Sequence, residues 1–137
     1  MSVFASSDDF YKISTPFLLS LTTDPVVGPK FVAANTSFRV SYTDPDAVFV
    51  LDATQDPAVL LTGDDAMTFT PELFLTMSAD DGHKFWLGDL NIPIAVAKKK
   101  LKVQGPITKL MGMLPAIQPA FAMYRTYLRE NGHEALV

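Results

Sequence analysis

Few side chains in this 137-residue chain could do acid–base or nucleophilic chemistry. There is no cysteine, and the two histidines are His83 and His133. The missing cysteines exclude thiolate nucleophiles, disulfides and Cys-ligated zinc or iron–sulfur centres. A Ser–His–acid triad needs an imidazole base, yet no G-x-S-x-G elbow occurs and both histidines read as surface residues. Asp80, Asp81 and His83 form the one acid–histidine cluster. Helical spacing puts Asp80 and His83 on one side, but two ligands leave a metal site incomplete, and acids there equally serve a helix N-terminus. The seven glycines nowhere approach a G-x-G-x-x-G or Walker pattern. No catalytic residue, metal ligand or cofactor is assigned.

Two further features are chemical in a looser sense. Lys98, Lys99 and Lys100, followed by Lys102, read either as a solvated turn or as a contact for anionic lipid headgroups or a ligand phosphate. Leu110, Met111, Met113, Leu114, Ile117, Phe121, Ala122 and Met123 crowd flexible apolar side chains into one segment, interrupted by Gly112, Pro115, Gln118 and Pro119. Such residues pack a core, or line an adaptable apolar surface. Met113 and Met123 are expected on faces opposite the main apolar stripes.

Charge is divided unevenly. Residues 1–83 carry three basic and twelve acidic side chains, and residues 84–137 carry eight and three, within a net charge of −4. An acidic whole excludes a general nucleic-acid binder, which needs a concentrated basic face. The longest uncharged stretch, Leu110 to Tyr124, is too short and too rich in proline to span a bilayer. The start, polar and acidic, has no signal-peptide pattern, so the expected location is the cytoplasm.

The elements that must position these residues follow from periodicity. Phe10, Ile13, Phe17 and Leu21 mark a helix that Pro16 is expected to interrupt, with a restart capped by Thr15. Asp24-Pro25 caps another, closing at Phe31–Ala34. Ser37–Thr43 alternates as a strand, Asp44-Pro45-Asp46-Ala47 is expected to be a type I turn, and Val48–Leu51 completes a hairpin. Ala58–Thr62 and Pro71–Ser78 are further strands. Ser78 then caps a helix ending at Gly88, in which the adjacent Phe85 and Trp86 are expected to point apart. Asn91 caps Ile92–Lys98, and Leu101–Gly105 is the last strand. Pro106 opens a helix with Ile107, Leu110, Met111 and Leu114 inward, ended by Pro115. Pro119 starts another with Phe121, Tyr124, Tyr127 and Leu128 inward.

The expectation is one α+β domain over 1–137. Helices fill 1–35, antiparallel strands 36–78, helices 79–100, the last strand 101–105 and helices 106–131. Together they make a five-stranded mixed, mostly antiparallel sheet with one face covered by helices.

Three segments carry a family likeness: LFLTMSADDGHKFWLGDLN (73–91), AVAKKKLKVQGP (95–106) and KLMGMLPAIQPAF (109–121). With FRVSYTDPDAVFVLDA (38–53) as the first hairpin, their order and spacing resemble the sterol carrier protein 2 family, the sterol-binding or lipid-transfer domain. Lys99 stands where related sequences often have glycine. The resemblance implies helices layered on a sheet with an apolar tunnel between. It also implies binding of fatty acid, acyl-CoA, phospholipid or sterol, and no enzymatic activity. The expected ligand-binding residues are Phe38, Val40, Leu73, Leu75, Leu101 and Val103 from the sheet and Phe85, Trp86, Leu90, Ile94, Leu110, Met111, Leu114 and Phe121 from the helices. The rival reading is an interaction or dimerisation module of the same fold with a filled core, accessory to an enzyme.

Overall fold

The computed structural model describes residues 2–137. A long helix α1 (Ser7–Thr23) and a short α2 (Val27–Ala34) lead into the sheet. Ser6 caps α1 by accepting from the Asp9 N–H, and the Asp24 carboxylate accepts from Val26 and Val27 at 2.9 Å, so the Asp-Pro signal does cap α2. Pro16 does not interrupt α1, nor does Thr15 cap a restart. The ring sits on the solvent face, where the exposed Lys12 turn leaves the orphaned carbonyl open to water.

Strands β1 (Ser37–Thr43), β2 (Ala47–Asp52), β3 (Val59–Thr62), β4 (Leu73–Ser78) and β5 (Lys102–Gln104) form one sheet in the order β3-β2-β1-β4-β5. Three pairings are antiparallel, but β4 lies parallel to β1, with Val40 opposite Leu75 and Tyr42 opposite Met77. The expected all-antiparallel run over 36–78 is therefore corrected. A six-residue helix α3 (Gly63–Thr68) was not foreseen; it stands where Gly63-Asp64-Asp65 read only as a strand terminator. The chain passes through α3 before returning on the free edge of β1, and such a crossover makes neighbours parallel. The β1–β2 turn is not type I: the Asp44–Pro45 bond is cis and Asp44 has φ +54°.

The strand period sorts the side chains. Phe38, Val40, Tyr42, Phe49, Leu51, Leu73, Leu75 and Met77 share the inner face. The outer face is also partly covered. Arg39 donates from Nη1 to the carbonyls of Met67 and Phe69 at 3.1 Å and lies over the Phe74 ring at 4.8 Å. This tether holds α3 over Val50, which is fully buried.

After β4 come α4 (Ala79–Leu87) and α5 (Ile92–Ala97). Ser78 caps α4, Gly88 ends it at φ +84°, and Asn91 caps α5, as their sequence signals imply. Lys99 takes the left-handed conformation, φ +61°, so the tight turn before β5 forms without glycine. The last helices are α6 (Ile107–Ile117) and α7 (Pro119–Glu130), followed by a 3-10 turn at Glu134–Leu136. Pro115 does not end α6; it lies exposed one turn after Met111 on the same solvent-facing side, where the carbonyl left without a donor is open to water. The inward stripe of α6 is Leu110, Met113 and Ile117, a 3-4 spacing that turns Met113 inward and Ile107 and Met111 outward. Both sequence assignments for those methionines are thus reversed.

Candidate functional site

The inner face of the sheet and the helices do not meet flush. Two adjoining apolar voids lie between them, of about 40 Å³ and about 60 Å³. The first is reached from α1, α2 and β2, through Leu18, Leu21, Phe31, Phe49 and Leu51. The second lies between β4 and the later helices, against Leu75, Met77, Ile92, Leu110, Met113 and Ile117. Phe31, Phe38, Val40, Tyr42 and Trp86 border both. These side chains are the partition. A cavity of about 150 Å³ is what one benzene needs, so neither void takes an alkyl chain unless the partition moves.

Half of the expected ligand-binding residues line these voids: Phe38, Val40, Leu75, Phe85, Trp86, Leu101 and Leu110. Leu73 is fully buried core, while Leu90, Val103 and Leu114 pack around the core without bordering a void. Phe121 stacks edge-on against Phe85 with centroids 5.7 Å apart and lies over Gly88. Ile94 and Met111 point outward, 51% and 37% exposed, because their helices turn Ile92, Ala95, Leu110 and Met113 inward instead. Phe85 and Trp86 do not diverge. Successive helical positions differ by about 100°, not 180°, and the two rings meet edge-on at 4.9 Å over the second void.

Tyr42 and Met77 continue the inner-face alternation of Phe38, Val40 and of Leu73, Leu75, so the signal for both was present in the strands. Leu21 belonged to the apolar stripe of the first helix, but nothing in the pattern tied it, Phe31 or Phe49 to the site, because which faces of α1, α2 and β2 meet is a tertiary matter.

Helix α4 is the element that seats the partition. Gly82 packs directly on the Tyr42 ring; a Cβ there would come within 2.3 Å of Cε1. The next residue, His83, is buried rather than a surface residue. The Tyr124 hydroxyl donates to His83 Nδ1 at 2.8 Å, and His83 Nε2–H donates to the Leu136 carbonyl at 2.7 Å. Both nitrogens are thereby used by the neutral ring, tying α4 to α7 and the C-terminal turn. Burial, the largest influence, pushes the imidazole pKa down, against the hydrogen bond to Leu136 and the nearby Asp80. Asp80 turns the other way and accepts from Ser2 Oγ at 2.8 Å and the Val3 N–H at 3.0 Å. Among the described residues, no three His, Asp or Glu side chains gather as a metal site.

Arg125 donates to the Leu87 carbonyl at 2.8 Å and closes the end of α4 onto α7. At the other end of the site, Lys109 of α6 pairs with Glu72 beside β4 at 2.8 Å. That contact, with the Thr36 hydroxyl, holds the Glu72 carboxyl below its usual range. Lys98, Lys99, Lys100 and Lys102 are exposed and make no ion pair among the described residues.

This architecture, helices over a mixed five-stranded sheet, is that of the sterol carrier protein 2 fold. The sterol carrier protein domain 2 of Helicoverpa armigera superposes with a TM-score of 0.59 at 16% identity, covering 96% of this chain and 95% of its own. A palmitated SCP2L2 from Aedes aegypti gives 0.56 at 18% identity, covering 86% and 96%. A UbiJ-SCP2 ubiquinone synthesis protein gives 0.58 at 13%, covering 81% and 89%. No family model and no curated protein matches the sequence. The chain has this fold, and identities this low carry the likeness no further than the fold.

Proposed function

We propose that this protein, as one domain over residues 1–137, is a non-catalytic carrier. It would hold a single apolar molecule, a fatty acid, acyl-CoA, phospholipid or sterol-like compound, between sheet and helices. The observation that supports this is the pair of voids divided only by side chains, with walls that are apolar almost throughout. Ligand enters by displacing the half-buried Phe38, Phe85 and Trp86, which merges the voids into one slot. The palmitated relative of the same fold is in keeping with such a ligand.

The magnitudes agree with carriage. Burying a 16-carbon chain yields about 12 kcal/mol at about 0.8 per methylene. Association and ordering cost on the order of 4–15 kcal/mol, and moving the partition adds to that cost. Affinity is then modest and exchange easy. Lys98, Lys99 and Lys100, with the exposed Ile94 nearby in sequence, form the face we assign to transient contact with an anionic bilayer. No helix among the described residues is long and apolar enough to cross a membrane; we place the carrier in the cytoplasm.

Native mass spectrometry of the protein as purified from cells tests the reading, paired with displacement of a fluorescent fatty acid. A co-purified lipid and displacement at micromolar concentration are expected. Neither appearing refutes carriage. A second reading has one observation in its favour: the voids are small, as in a module whose core is filled. That module would dock on an enzyme or a second copy through exposed apolar residues such as Ile94, Ile107 and Met111, and the ubiquinone synthesis protein of this fold gives it a precedent in architecture.

A further inference from the structure

Tyr42 borders not two voids but three. The third, about 10 Å³, is lined in part by Ser14, Tyr42, Gly82, His83, Trp86 and Tyr124. Its chemistry differs from that of its neighbours, because five of those side chains carry a polar atom. A volume of that size holds the centre of one oxygen-sized atom and no more.

The hydrogen bonds around it are incompletely used. Tyr124 gives its proton to His83 Nδ1, and the other His83 nitrogen is committed to Leu136, so Tyr124 keeps lone pairs to accept with. The Trp86 indole lines the same void, and the Tyr42 hydroxyl makes no hydrogen bond among the described residues, so its proton is free. Ser14 and Tyr42 are each only 8% exposed, and no group among the described residues accepts a proton from either hydroxyl. Neither oxygen is fully enclosed, since Arg39 Nε is the one buried side-chain polar atom without a partner among the described residues, so both hydroxyls can donate to an acceptor placed in the void. No lysine or arginine lines any of the three voids. An anionic head placed there would be desolvated without compensation. Gly82 pressed against the Tyr42 ring holds the phenol at the junction.

We propose that the third void is the head-group subsite of the apolar slot and takes the hydroxyl of an uncharged alcohol. Tyr42 and Ser14 donate to that oxygen, and the Tyr124 oxygen accepts its proton. The hydrocarbon then lies along the two apolar voids, polar end innermost. This rests on the carrier reading and narrows it: long-chain or ring alcohols are preferred over ionised fatty acids. A carboxylate reaches the solvent only by reversing its direction in the slot.

The test is displacement of Nile red from the full chain at pH 8 by 1-dodecanol, dodecane and dodecanoate, each below its aggregation limit. Wild type should respond to dodecanol at about tenfold lower concentration than to dodecanoate. Tyr42→Phe should weaken dodecanol about five- to tenfold, the size of one buried hydrogen bond, and leave dodecane unmoved. Ser14→Ala should weaken dodecanol to a smaller extent, and it carries the comparison alone should Tyr42→Phe not fold. The inference is overturned, with carriage intact, if dodecane and dodecanol shift together or neither shifts. If none of the three competes in the wild type, carriage and subsite both fall.

Discussion

Filling the space between the layers should make this protein more stable and a poorer carrier. Val40 is the position at which to do it, because it borders both voids from the middle of β1. Residual cavity costs about 24 cal/mol per Å³. On that scale the voids of about 40 and 60 Å³ represent about 1.0 and 1.4 kcal/mol of packing left unrealised. Val40→Ile keeps a β-branched residue on a strand and adds one methylene, worth at most about 0.8 kcal/mol of burial. For a chain of this size that raises Tm by about 3 °C. The same methylene is taken from the ligand's space, which weakens a bound alkyl chain about fourfold or more. Urea denaturation and displacement of a fluorescent fatty acid, run on the same preparations, read the two effects. A loss of stability above about 1 kcal/mol would show that the space does not exist. A gain in stability with unchanged uptake would show that the ligand sits elsewhere.

Three other outcomes test the frame around the slot. Gly82→Ala should destabilise by about 1–3 kcal/mol through its collision with Tyr42, outweighing alanine's better helix propensity; a higher urea midpoint would refute the seating of α4. Lys99→Gly should stabilise by about 0.5–1 kcal/mol, the left-handed penalty of a side chain less the backbone entropy of glycine, and an unchanged or lower Tm would contradict the turn. His83 has a pKa held down by burial, so as pH falls below the ordinary value of about 6.5 the unfolded chain takes up the proton first. Its contribution is complete above that pH and is lost below it. His83→Leu should be less stable at pH 7.5 but lose less on going to pH 5.5 than the wild type, and equal losses would contradict the buried neutral ring.

Much of the local structure could be read from neighbouring residues. Ser78 three residues before Asp81, Asn91 before Pro93, and the alternation of Phe38, Val40 and Tyr42 each involve atoms a few positions apart, and each forms as its pattern demands. Errors arose where a local rule met a non-local circumstance. Pro16 and Pro115 break helices only if their missing hydrogen bonds cannot be met, and both lie on faces open to water. Which methionine of α6 turns inward was settled by the approach of α2 and the sheet, which favoured Met113 over Met111. The parallel pairing of β4 with β1 likewise depends on a crossover that strand periodicity does not record.

The sequence by itself determined the order of the five strands, the capping of the helices around the site, the apolar faces of β1 and β4 and the absence of thiol chemistry. Only the tertiary structure decided that His83 is an interior tie, that Tyr42 stands where three voids meet, and that the slot is divided rather than open. The reason is physical. Periods and caps are set by backbone geometry over one or two turns, whereas a void is the small difference between the space enclosed by distant elements and the volumes of the side chains they bring, and no short stretch of chain contains both.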